Sequence, residues 1–256
     1  MAGAGRLSGS TAIVTGASEG IAEAIARALA GEGASVAVVS RNLPRVKRVA
    51  DDIAASGATA LALQADVTRS RDVQDMVKAV LERWGGVDIL VNGVGGFRGH
   101  GSILEMTEED WDQVITLNMK TAFLCAQAVA GPMMDKRKGR IINIGSQAAS
   151  GPNPHSNSFL PYGAAKAGLI GFTKHLAKQL GPYGITVNAV SPGTTLTSRA
   201  KKNRDAASIE RIKSQSPMRT LVDAEDTAGA VLFLASNEGR YITGVNLNVN
   251  AGALIT

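Results

Sequence analysis

The sequence predicts one α/β domain, a parallel sheet with helices on both faces. Three observations point there. Short runs of β-branched residues alternate with longer Ala-rich stretches along the whole chain. Several of those runs are apolar almost end to end, as strands buried on both faces are. The chain has 256 residues, 45% hydrophobic and 19% charged. At roughly 150 residues per domain that length allows one or two domains, and the unbroken alternation favours one, spanning 1–256.

Taken in order, the expected strands are Thr11–Thr15, Ser35–Ser40, Ala58–Leu63, Val87–Val91, Arg140–Ile144, Ile185–Ser191 and Val245–Val249. The expected helices are Ile21–Gly31, Pro44–Ser56, Ser70–Trp84, Thr107–Met134, Tyr162–Leu180 and Ala224–Ala235. Pro44 near a helix start, Gly57 and Gly181 after helix ends, and Thr107 shortly before Glu109 mark boundaries. Strand–helix alternation means crossover connections and a parallel sheet. Ligands of such sheets bind at the carboxyl ends of the strands, so the chemistry is expected just after each strand.

Composition narrows the class. The chain is large enough to bury a sizeable core, and its mean hydropathy of +0.05 is far from a disordered composition. A single cysteine, Cys125, cannot pair within the chain and suits a reducing compartment. No uncharged apolar run approaches the roughly 20 residues of a membrane span. Met1–Thr11 has no apolar stretch of the kind a signal peptide needs. A cytoplasmic protein without a membrane partner is the expectation. Glycine is abundant at 29 residues and aromatics scarce at 4%, which suggests backbone close to a ligand. The net charge of +5 fits an anionic ligand or nucleic acid. That charge is scattered, however, with no recognition motif or aromatic-basic platform, so no nucleic-acid partner is expected.

The first strand runs straight into Thr15-Gly16-Ala17-Ser18-Glu19-Gly20-Ile21-Ala22 and a helix. Glycines there permit a tight turn and close approach of backbone to a pyrophosphate, which a helix N-terminus attracts. The spacing is G-x-x-x-G-x-A, and no G-K-S/T follows, so a nucleoside-triphosphate loop is not expected. After the second strand come Ser40-Arg41-Asn42. A carboxylate at that place would accept from a ribose 2′-hydroxyl, whereas Arg41 offers a cation for a 2′-phosphate. Arg41 therefore favours NADP(H) over NAD(H). Glu19 runs against it, unless its carboxylate points to solvent and favours the helix N-terminus.

Tyr162-Gly163-Ala164-Ala165-Lys166 opens a long helix. Four residues turn a helix by about 400°, leaving the two side chains about 40° apart in azimuth and about 6 Å apart along the axis. At about 4 Å and an effective dielectric near 20, an ammonium attracts a phenolate by about 4 kcal/mol, enough to draw a tyrosine from about 10 toward neutral pH. That range suits a general acid/base. Alone, the pair could be a surface contact. Ser146, after the strand ending at Ile144, and Asn118, within a helix, keep it company.

On these residues the sequence resembles the short-chain dehydrogenase/reductase family, and among its members the 3-oxoacyl reductases. The matching stretches are Thr15 to Ala22, Asp66-Val67, Asn92-Gly93-Val94-Gly95, Asn118, Ser146, Tyr162 with Lys166, Pro192-Gly193 with Thr197, and Gly244 to Gly252. The resemblance implies a doubly wound, Rossmann-like sheet of seven parallel strands, a nicotinamide dinucleotide and a homotetramer. It implies that Tyr162 exchanges a proton with a carbonyl or alcohol oxygen, which Ser146 holds. Lys166 would bind the nicotinamide ribose and lower the tyrosine pKa, and Asn118 would support a proton-relaying water. Gly16, Ser18, Gly20 and Ile21 would meet the pyrophosphate, Ser40 and Arg41 the adenosine ribose, and Asp66 and Val67 the adenine. Asn92 and Gly93 would lie along the dinucleotide, and Pro192, Thr195 and Thr197 beside the nicotinamide. The reaction implied is hydride transfer between NADP(H) and a carbonyl or secondary alcohol. An NAD-dependent alcohol or sugar dehydrogenase, and a dinucleotide-binding sensor without catalysis, are the alternatives.

Some positions depart from the family's pattern. Ala22 stands for the usual third glycine, and Gly93-Val94 for Asn-Ala, which is expected to loosen that turn. Thr195 replaces Ile or Val. The segment from Ser146 to Tyr162 is long and carries Pro152, Pro154 and His155, a candidate substrate contact. Arg199, Lys201, Lys202 and Arg204 lie in the region the family uses as a substrate lid, about 194–220. A basic lid attracts a carboxylate, a phosphate or a thioester-linked carrier, though a solvated helix face is the plainer reading. His100, His155 and His175 lack metal spacing, so no metal is expected. Cys125 reads as core.

Overall fold

A computed structural model describes residues 5–97, 102–151, 160–195, 197 and 205–255. Seven strands form one sheet: β1 (Thr11–Thr15), β2 (Ser35–Ser40), β3 (Ala60–Gln64), β4 (Ile89–Asn92), β5 (Gly139–Ile144), β6 (Ile185–Pro192) and β7 (Asn246–Val249). Their order is β3-β2-β1-β4-β5-β6-β7, and every neighbouring pair is parallel. The order reverses between β1 and β4, so the chain leaves these two strands toward opposite faces of the sheet, and the carboxyl edge between them is the switch point where such sheets bind ligands.

The helices are α1 (Gly20–Gly31), α2 (Leu43–Ala55), α3 (Ser70–Trp84), α4 (Glu108–Ile115), α5 (Thr121–Lys136), α6 (Leu160–Leu180), α7 (Ala206–Ser214) and α8 (Ala224–Ala235). The boundary residues act as expected. Pro44 sits in the first turn of α2 behind Asn42, whose side chain accepts from Arg45 N. Thr107 caps α4 through a reciprocal pair with Asp110. α7, unforeseen, is a short amphipathic helix capped by Asp205.

Strand alternation divides the core. Ala12, Val14, Val36, Val38, Val91 and Ile142 face α1, α2 and α8. Ile13, Ala37, Val39, Leu90, Ile141 and Val187 face α3, α5 and α6. Among the described residues the fully buried hydrophobic side chains are aliphatic or sulfur-bearing, and aromatics such as Trp84, Phe172 and Tyr183 pack only at the core's edge. Cys125 is buried in the core, and desolvation pushes its thiol up to about 12, so it is an inert core residue.

The run Glu108–Lys136 is one long helical stretch, apolar enough to resemble a membrane span by length and composition. It lies on the sheet instead, burying Val114, Asn118, Ala122, Cys125, Val129 and Met133. A widened π turn, Thr116–Lys120, separates α4 from α5. Such turns reorient the side chains they carry. This one buries Asn118, which the flanking Leu117 and Met119 left undecided.

Candidate active site

The loop after β1 meets the loop after β4 backbone to backbone. Gly16 adopts φ +72°, and a Cβ there would lie 3.0 Å from the Gly93 carbonyl. A Cβ on Gly93 would sit within clash distance of Thr15 O and 2.9 Å from the Ala22 methyl. Gly93 N also donates to Thr15 Oγ1 at 3.1 Å. The expected loosening at Gly93 is therefore absent. Glycine is required there, and it makes room for the methyl that Ala22 adds.

Gly20 (φ +67°) begins α1, and the Thr197 methyl would approach its Cβ to 3.2 Å. The segment after β6 thus reaches the first loop. Thr195 Oγ1 donates to Gly193 O, and Thr197 N to Thr195 O. Glu19 does not cap α1; its carboxylate pairs with Arg45 Nη1 at 3.1 Å. This cradle of close-set backbone fits a pyrophosphate at the start of a helix.

Ser40 Oγ bonds both the N–H and the carbonyl of Asn42, turning the chain into α2. Arg41 is exposed and borders an open cleft of about 550 Å³ shared with Gln64, Asp66, Arg69 and Asp72. Burial pushes the Asp66 carboxyl up, but hydrogen bonds from the Thr68 hydroxyl and N–H, with the charges of Arg41 and Arg69, outweigh it and hold it below the ordinary range.

The polar residues lie between β4, β5 and α6. Lys166 is buried and its Nζ donates to Ile144 O at 2.7 Å. Burial brings its pKa down to about 8. Its Nζ lies 5.7 Å from the centre of the Tyr162 ring, so the two do share a helix face. Tyr162 hydrogen-bonds Ser146 through its side chain. Ser146 Oγ also accepts from Ala148 N, which fixes its direction. Asn118 Oδ1 accepts from Gly96 N, while Nδ2 donates to Gly96 O and Val114 O. A Cβ on Gly95 would meet Asn118 Oδ1 at 2.8 Å and Lys166 Nζ at 3.0 Å. Asn118, Ser146, Tyr162 and Lys166 therefore gather at one place, with Gly95 and Gly96 between two of them.

One expectation reverses. Desolvation raises the Tyr162 phenol above its ordinary value, and the bond with Ser146 offsets this only in part. Lys166, 5.7 Å from the ring centre and with its own ammonium disfavoured by burial, does not reverse that rise in the chain alone.

Val67 is buried in the turn after β3, and Asn92 is buried at the end of β4. Asn92 Nδ2 donates to Asn143 Oδ1 at 2.8 Å, and Asn92 Oδ1 is a buried acceptor without a partner. Asn143, Thr173 and Arg45 were not foreseen: their contacts exist only once strands and helices are brought together. His175 is exposed on α6. His100, Pro152, Pro154, His155, Arg199, Lys201, Lys202 and Arg204 lie outside the described residues.

Comparison with known proteins decides the family. The family model described as enoyl-(acyl carrier protein) reductase matches residues 16–253. The chain belongs to the short-chain dehydrogenase/reductase family. It is 38% identical over 243 residues to a 3-oxoacyl-[acyl-carrier-protein] reductase of Staphylococcus epidermidis, covering 94% of this chain and 98% of that one. It is 40% identical over 246 residues to the Vibrio cholerae protein of the same name, with 96% and 98% covered. Among solved structures, a putative short-chain alcohol dehydrogenase of Sinorhizobium meliloti superposes with TM-score 0.90 at 36% identity, covering 96% of this chain and 97% of that one. A 7α-hydroxysteroid dehydrogenase complexed with NADH and a 7-oxo bile acid superposes equally well at 32% identity, with 96% and 95% covered. The expected doubly wound, seven-stranded fold is thus the family's fold, and the chain is an oxidoreductase of that family.

Proposed function

We propose that the protein is an NADP(H)-preferring carbonyl reductase whose substrate class is a 3-oxoacyl group carried as a thioester. The observation that carries the chemistry is the convergence of Ser146, Tyr162 and Lys166. The thioester rests on the named relatives. It also agrees with the basic residues Arg199, Lys201, Lys202 and Arg204, which suit an anionic carrier. The match to a model described for enoyl reductases offers carbon–carbon reduction as the competing chemistry. Against it stands the serine–tyrosine pair, two hydroxyls that suit a carbonyl oxygen.

The dinucleotide, when bound, supplies a hydride to the carbonyl carbon. Ser146 holds the carbonyl oxygen by a hydrogen bond. Tyr162 gives its phenolic proton to that oxygen, which becomes the alcohol, and is left as a phenolate. Lys166 stabilises the phenolate by its charge and returns a proton to it. With a pKa of about 8, Lys166 releases and recovers that proton near neutral pH. Asn118 keeps Gly95 and Gly96 against Lys166. Gly16, Ser18, Gly20 and Ile21 hold the pyrophosphate, and Thr195 and Thr197 close the nicotinamide side.

Arg41 carries the cofactor preference, as an exposed cation beside the adenosine end. Arg41→Ala is expected to raise the Kd for NADPH about tenfold and leave that for NADH within about twofold. Equal weakening of both, or native preference for NADH, rejects it. For the substrate, NADPH consumption is measured with 3-oxoacyl thioesters, free ketones, sugars and enoyl thioesters. Turnover of the 3-oxoacyl thioester at least tenfold above the rest is expected; preference for the enoyl thioester rejects the carbonyl reading. Assembly as a homotetramer in the cytoplasm belongs to the same proposal. Trp111 and Phe123, partly exposed on the long helix Glu108–Lys136, support self-association.

A further inference from the structure

Two neighbouring residues of β5 hold α6 at two heights. Ile144 O accepts from Lys166 Nζ at 2.7 Å. Asn143 Nδ2 donates to Thr173 Oγ1 at 2.9 Å, and Thr173 Oγ1 donates in turn to Leu169 O at 2.8 Å. Asn143 Oδ1 accepts from Asn92 Nδ2 at 2.8 Å, which ties the pair to the end of β4 and the loop beginning at Gly93. Asn143 is fully buried, and Thr173 and Lys166 are 1% and 3% exposed.

Lys166 and Thr173 are seven residues apart, so they lie on one helix face about 10 Å apart along the axis. One grip on a helix leaves it free to pivot. Two grips on one face fix both its rotation and its height against the sheet. The hydroxyl of Tyr162, one turn beyond Lys166, inherits that placement. Ser146 follows Ile144 by two residues on the same strand end, so the partner of Tyr162 is measured from the same β5 residues.

We infer that Thr173 and Asn143 are positioning residues for the reaction: their buried bond, with the Lys166 grip, sets the distance between Tyr162 and Ser146. The inference rests on the catalytic reading of Tyr162. The hydroxyl of Thr173 is the part that matters, because it is at once the acceptor for Asn143 and a donor to its own helix. A hydrophobic side chain of the same shape preserves packing and removes both bonds.

Thr173→Val, Thr173→Ser and Tyr162→Phe are compared by NADPH-dependent reduction, normalised to folded protein by circular dichroism, and by NADPH Kd from nucleotide fluorescence. Thr173→Val is expected to lower kcat about tenfold while KM and NADPH Kd stay within about twofold, and Thr173→Ser to recover kcat to within about twofold of wild type. An unchanged kcat per folded Thr173→Val chain overturns the inference. So does equal loss in Thr173→Ser, or a rise in NADPH Kd that matches the loss in kcat. Should Thr173→Val not fold, Thr173→Cys fits the same space with a weaker donor and acceptor, and the same criteria apply to it. Tyr162→Phe separates the two levels. If it keeps wild-type kcat, the catalytic reading fails. If it loses kcat while Thr173→Val does not, only the positioning role fails.

Discussion

The two halves of the candidate site are built on different physics. The nucleotide half, around the loops after β1 and β2, is made of backbone: Gly16, Gly20 and Gly93 leave no room for a Cβ or adopt positive φ, and the side chains there, Glu19, Arg41 and Arg45, are solvent-exposed or partly so. The catalytic half, between β4, β5 and α6, is made of buried polar side chains: Asn92, Asn118, Asn143, Lys166 and Thr173. The first half shapes a surface by absence of atoms. The second orients atoms by hydrogen bonds that are costly to leave unmade. The halves should therefore break differently, one through steric collision and one through lost direction or charge.

The largest break is expected in the catalytic half. Tyr162→Phe removes one oxygen and should lower kcat about 10³-fold, the range of a lost general acid, with Tm changed by no more than a few degrees. Stopped-flow reduction assays and thermal melts check both. Retention of near-normal turnover would falsify the assignment of the acid.

The nucleotide half should respond next, and through stability. Gly93→Ala drives a methyl into Thr15 O and the Ala22 methyl. A loss of about 2–3 kcal/mol is expected, as for overpacking at a close contact, read from urea unfolding. Adding Ala22→Gly should restore less than half of it, because the carbonyl of Thr15 stays in place. Full restoration means that the methyl contact alone mattered.

How much of this the sequence could disclose follows from the same division. Glycine spacing after an apolar strand is local, so the β1 loop and its helix were legible residue by residue. The strands β1 and β2 fall on their expected bounds for the same reason, since they are apolar runs punctuated by polar turns. The i,i+4 register of Tyr162 and Lys166 was legible too, being a property of one helix. The bond from Asn143 to Thr173 was not, because it joins residues thirty apart that meet only when α6 docks. Nor was the direction of the tyrosine shift: it depends on burial, and burial is a property of the whole fold. Gly93 looks like a loosening in the sequence because the residue that requires it, Ala22, stands seventy-one positions earlier and meets it only in the fold.

A charge buried in the catalytic half should cost stability. Lys166 holds its proton with a pKa of about 8, against an ordinary 10.5, because burial disfavours the ammonium. Between these values the unfolded chain binds more protons than the folded one, so wild-type stability should rise as pH goes from 8 to 10.5. Lys166→Met should abolish that rise and gain about 1 kcal/mol at pH 7 while losing activity. Parallel stability curves for the two proteins across that pH range would contradict the account.

The smallest effect belongs to the exposed charges that fasten the nucleotide half. Glu23 accepts from Arg27 at 2.8 Å and from Arg48 at 2.9 Å, and Asp52 accepts from the same two arginines, joining α1 to α2. These groups are partly exposed, so Glu23→Gln should cost about 0.5 kcal/mol in low salt, the scale of surface pairs. In 1 M salt, where screening acts over about 3 Å, that cost should vanish. In the catalytic half the bond from Asn143 to Thr173 is buried and neutral and offers salt little to act on, so the kcat deficit of Thr173→Val should be the same at both ionic strengths. A Glu23→Gln penalty that survives 1 M salt would mean that α1 and α2 are joined by packing around these charges, and that the two halves differ less than their exposed and buried polar groups suggest.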